Sequence, residues 1–151
     1  MRLLTFVLPM LVMALLFSSE SIAQTNYTPP SPELVERLLN ELESCKAIQK
    51  EAEADLKFME ANANDYTLAD YIEVRNLINR AQSCINSRRA QLEELRKDYP
   101  GWFNSPNATM TINFHGRRTI TPRQLENMLA QVENKIAAVL ARFEKIPRPE
   151  N

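Results

Sequence analysis

The chain has 151 residues, of which 25% are charged and 44% apolar, with a formal net charge of −1. That is room for one core, without the overall basicity of a nucleic-acid binder. Its two glycines exclude the glycine-rich phosphate loops, dinucleotide fingerprints and nucleophile elbows, all of which need glycine where backbone turns sharply or approaches a ligand.

Residues 1–23 read as a cleaved signal peptide. Arg2 gives a positive start, an apolar run of 15 residues follows, and Ser21 and Ala23 supply the small residues of a cleavage site before Gln24. The alternative is an uncleaved anchor, but the run is short for a span of ~20 residues and Pro9 interrupts it. No cysteine follows the run, which argues against a lipoprotein. An exported protein is expected, periplasmic by preference, with an extracellular location as the alternative.

Residues 24–30 form a proline-rich, extended spacer. A single helical domain is then expected over 31–146. Its first helix, about 31–62, opens with Ser31 as cap and Pro32 in its first position. The apolar seam runs Val35, Leu38, Leu42, Cys45, Ala52, Leu56, Met59, with Gln49 as a polar interruption. These spacings mark a coiled-coil-like face.

"NANDYTLAD" breaks the helix, because Asn and Asp compete for backbone hydrogen bonds. Thr67 and Asp70 make a variant capping box for a second helix, about 67–99. Its seam is Tyr71, Val74, Ile78, Ala81, Ile85, Leu92, Leu95, and Pro100 ends it. Cys45 and Cys84 are equidistant from the turn, so an antiparallel hairpin sets them at equal height. A structural disulfide is expected in an oxidising compartment. Free thiols or an intermolecular bond remain the alternatives. A metal site built with His115 lacks a fourth ligand.

Between the second and third long helices, "ATMTINF" alternates and "HG" permits positive φ, so a β-hairpin is expected over about 108–121. His115 then serves turn geometry. The third long helix, about 122–146, has Thr121 and Gln124 as a capping box and Pro122 first. Leu125, Leu129, Val132, Ile136, Val139, Phe143 and Ile146 repeat at alternating steps of four and three. Residues 147–151 form a tail. The expected fold is mainly α: an elongated antiparallel helical hairpin plus a third long helix, with a small β-hairpin between helices two and three.

Charge is uneven. Residues 31–65 hold nine acids against four bases, while residues 100–125 hold Arg117, Arg118 and Arg123 and no acid. Trp102, Phe103 and Phe114 share that basic stretch. Arginine with aromatics is the composition of binding hot spots, so these six are the candidate partner-binding residues. The competing reading seals the bundle end with the aromatics and leaves the arginines to solvate the tip. No catalytic or metal-binding constellation and no cofactor motif is visible. An exported, non-catalytic interaction protein is expected: an envelope or extracellular adaptor, a secretion-apparatus accessory, or an inhibitor-like module. Its partner would be another exported protein rather than nucleic acid. A holdase-like chaperone or a membrane-surface binder is the alternative, an enzyme is less expected, and oligomerisation stays open.

Overall fold

A computed structural model describes residues 27–105 and 107–150. The expected signal peptide, residues 1–23, and the start of the spacer, 24–26, lie outside them. The element order is α1 (Pro32–Ala61), α2 (Leu68–Asp98), α3 (Pro100–Phe103), β1 (Met110–Asn113), β2 (Arg117–Ile120) and α4 (Pro122–Phe143). The fold is mainly helical, with the antiparallel β-hairpin between α3 and α4.

Both capping boxes close. Thr67 accepts from the Asp70 amide while the Asp70 carboxylate accepts from the Thr67 amide, and Thr121 and Gln124 reciprocate in the same way. The Asp70 carboxyl is held below the usual aspartate range, first by the Thr67 amide and then by the Thr67 hydroxyl. Ser31 departs from expectation. It sits at the N-cap in extended backbone but its hydroxyl makes no cap bond; its carbonyl instead accepts from the Leu34 amide at 3.1 Å.

The chain also contains a helix that periodicity does not reveal. Pro100 ends α2 by forcing Tyr99 out of helical geometry, at φ −127° and ψ 51°, and then starts α3 from its first position. The third long helix stops at Phe143 rather than 146. Glu144, Lys145 and Ile146 turn tightly back on its last carbonyls, and Ile146 still packs on the core.

The seams meet as antiparallel and parallel neighbours. Glu41 on α1 pairs with Arg88 on α2, and Cys45 is bonded to Cys84, with Cα atoms 5.4 Å apart. Both pairs are centred on the same point of the α1–α2 turn, so the two helices run antiparallel in one register. Arg89–Glu133 and Arg96–Glu126 likewise set α4 antiparallel to α2. Arg142 on α4 reaches Glu60 and Glu53 on α1.

The buried residues divide into two cores placed end to end. The larger joins Val35, Leu38, Leu39 and Leu42 of α1, Leu92 and Leu95 of α2, Trp102, the hairpin's Met110, Ile112, Phe114 and Ile120, and Leu125, Leu129 and Val132 of α4. The smaller, by the α1–α2 turn, holds Leu56, Met59, Val74, Ile78, Val139 and Phe143. Ile48 touches both. Gln49, buried to 1% exposure, meets its polar need within its own helix by donating to Glu53 at 3.0 Å.

Residues 27–30 form neither helix nor strand and lean on the body. Tyr27 packs on the larger core and Pro30 is buried. Gly101 makes this approach feasible, since a Cβ there would lie 3.0 Å from Tyr27 Cβ. At the other pole Tyr66 donates its hydroxyl to the Pro147 carbonyl, holding the start of the tail against the α1–α2 turn.

Candidate interaction surface at the hairpin

Strand β1 pairs with β2 in the register Met110↔Ile120, Thr111↔Thr119, Ile112↔Arg118, Asn113↔Arg117. His115 takes φ 52° and Gly116 φ 101°. The pair therefore supplies the left-handed backbone that reverses the chain, and the Phe114 amide closes the turn on the Gly116 carbonyl at 3.1 Å. The His115 ring lies against Phe114, with centroids 4.3 Å apart.

The six candidate residues separate by burial. Trp102 is 0% exposed and Phe114 3%, both inside the larger core. Phe103 is half-buried, edge-on to Trp102 at 4.9 Å, with the Arg96 guanidinium 5.7 Å from its ring centre. Trp102 and Phe114 are thus spent on the core at the end of the bundle, while Phe103 keeps a partly exposed ring there. Their reason for clustering is area: a short hairpin cannot hold itself together and must cover apolar surface on the helices. The Trp102 indole N–H has no hydrogen-bond partner among the described residues.

Arg117, Arg118 and Arg123 are all exposed. Among the described residues none of the three is within 4.0 Å of a carboxylate. Arg88, Arg89, Arg96 and Arg142, by contrast, each bridge to an acid on another helix. The hairpin's charge is therefore not spent on the fold. The two neighbouring arginines do not form one cluster, however. Successive strand residues point to opposite faces, so Arg118 shares the face of Ile112 and Arg117 that of Asn113.

One contact escaped sequence reasoning. The Asn113 amide donates to Glu36 Oε1 on α1 at 2.6 Å, across 77 positions of sequence. It fixes β1 beside α1 and occupies the outward Asn113 amide on that edge of the sheet. No local pattern announces it, because Glu36 is one of many acids on a helix surface.

Comparison with family models, curated proteins and solved structures returns no match. Phe58, at 59% exposure, and Ile72, at 45%, are the large apolar side chains exposed among the described residues, both near the α1–α2 turn. A cleft of about 210 Å³ between α1 and α2 is lined by Leu34, Arg37, Leu38, Gln91, Glu94, Leu95 and Asp98. Among the described residues no helix is long and apolar enough to cross a membrane.

Proposed function

We propose that this is an exported, non-catalytic interaction protein that contacts another exported protein through its arginine-bearing hairpin. The observation that carries the reading is the contrast among arginines. Arg88, Arg89, Arg96 and Arg142 are matched to carboxylates on other helices. Arg37, Arg75 and Arg80, though exposed and unpaired among the described residues, lie on helices rich in acids, whereas Arg117, Arg118 and Arg123 stand exposed on and beside the hairpin turn in a stretch, 100–125, that holds no acid at all. Exposed, unmatched charge adds little to stability, but it steers encounter and selects partners of opposite sign. The disulfide and the apolar leader sequence support export. A holdase would present an open apolar face. Here the helical seams are closed on one another, and Phe58 and Ile72 are a small exposed area near the turn.

The test is a cross-linking pull-down with the mature protein from its own compartment, comparing wild type with the Arg117→Ala, Arg118→Ala double variant. The variant should melt as wild type does and lose the captured partner, with the larger loss at low salt. Full capture by the variant at both low and physiological salt would remove the hairpin as the contact.

A further inference from the structure

We propose that the outer edge of β2 is a template for strand addition, and that its ligand is an extended acidic segment of the partner protein. The inference rests on the interaction reading above and specifies its chemistry.

The edge can be worked out from the register. Asn113 spends its N–H on Glu36, so that group points away from β2. Inward and outward groups alternate along an antiparallel ladder, and directly opposed residues point the same way. Ile112↔Arg118 and Met110↔Ile120 are therefore the hydrogen-bonded pairs. Thr111 and Asn113 turn their backbone groups outward on β1, and Arg117 and Thr119 do so on β2. The Phe114 amide, which bonds inward to Gly116, fits this parity. The two edges then differ. Alpha1 lies along β1 and Glu36 occupies its outer edge, while β2 has residues 117–119 all exposed and no helix bonded to its outward groups among the described residues. An open strand edge of this kind pairs readily with another strand.

Charge says which strand. Arg117 and Arg118 project from opposite faces of the sheet at the open edge. A strand laid beside β2 also alternates, so two consecutive carboxylates on it meet both guanidiniums at cross-strand distance. Arg123, in the first turn of α4, adds to the positive field at the end of β2. A second copy is a poorer occupant: self-pairing centred on Arg117 or on Arg118 sets arginine directly opposite arginine, and self-pairing centred on Thr119 sets Arg117 and Arg118 opposite Thr121 and Ile120, leaving both guanidiniums without a carboxylate.

The probe is a short synthetic peptide of alternating valine and threonine with two adjacent central glutamates. It is compared with its glutamine counterpart and with a form N-methylated at alternate residues. The decisive variant is Thr119→Pro, because the amide it removes faces outward and the residue ahead of it is already extended. That variant should keep its circular dichroism and melting temperature, whereas Arg118→Pro should lose stability with its ladder bond. The acidic peptide should bind wild type saturably, bind Thr119→Pro about tenfold more weakly, as the loss of one backbone hydrogen bond predicts, and bind Thr119→Val as wild type. Replacing the glutamates by glutamine should also weaken it, and N-methylation should abolish binding. Equal binding to Thr119→Pro and wild type, binding that survives N-methylation, or no saturation at millimolar peptide would each overturn the proposal. So would a wild-type dimer that Thr119→Pro dissolves, since the occupant would then be a second copy. Should the captured partner be lost from the double arginine variant yet held by Thr119→Pro, the hairpin would remain the contact and strand addition alone would fail.

Discussion

Removing the disulfide with the paired changes Cys45→Ala and Cys84→Ala tests the architecture most directly. The bond joins positions 39 apart in sequence. Closing a loop of that length removes chain entropy from the unfolded state worth ~4 kcal/mol at room temperature. A domain of this size unfolds with an entropy of roughly 0.25 kcal/mol per kelvin, so the melting temperature should fall by about 15 °C. Alanine is the right replacement at position 45, where the side chain is fully buried, because serine would add an unpaired hydroxyl to the loss. The assays are thermal melting, read for the midpoint temperature, and urea unfolding, read for midpoint and slope, both followed by circular dichroism. A freer unfolded chain exposes more surface, so the slope should rise as the midpoint falls. A drop of less than ~5 °C with an unchanged slope would refute the view that the bond acts by tethering the two helices of the hairpin in the unfolded chain.

Three further outcomes are expected. Gly116→Val should cost ~1–3 kcal/mol in thermal unfolding although nothing lies within 4 Å of its added Cβ, because φ of 101° strains a β-branched residue; His115→Asn, which tolerates φ of 52°, should change little. Gly101→Ala should push Tyr27 off the body, lowering stability by ~1 kcal/mol and making the segment before α1 more sensitive to protease. Glu60 is held below the usual glutamate range, first by its hydrogen bond from Arg142, and Glu53 by Lys57 first and then by Gln49 and Arg142. Because both folded values lie below the unfolded ones, the stability they contribute is present above about pH 4.3 and is lost as pH falls through the folded values; Arg142→Ala should flatten that acid limb in melts taken from pH 6 to 3.

Most of the helical frame was legible because burial leaves a period. Every apolar position of the first seam is buried, as are all those of the third long helix up to Phe143. Thr67 and Thr121 announced their helices by short-range chemistry that the fold keeps. The cysteines were legible for a geometric reason, since equal distance from a turn implies equal height in a hairpin. Alpha3 was not, because a single turn such as Pro100–Phe103 has no period to display. The burial of Trp102 and Phe114 was not legible for a different reason. Trp102 and Phe114 supply large apolar area, which serves a core and an interface alike, and only the packing of the hairpin onto α1 and α4 decides between them. The arginines remained at the surface, but strand alternation divides Arg117 from Arg118, which sequence adjacency had joined. The Asn113–Glu36 bond and the Tyr27–Gly101 approach link distant segments through one atom pair each, and neither leaves a pattern in either segment.

Two cores set end to end, with the cystine at the level where they meet, also shape how such a molecule would be degraded. Ala63, Asn64 and Asp65 are the exposed tip of the link between the long helices, the kind of site at which a protease nicks first. A cut there frees no fragment. The two pieces stay fastened through Cys45 and Cys84, and the larger core with its hairpin lies on the far side of that fastening. Cleaved molecules would migrate as intact ones until a thiol is added, and a nick at one pole would leave the surface at the other in place. Durability against proteases would then depend less on avoiding the first cut than on keeping the sulfur bridge oxidised.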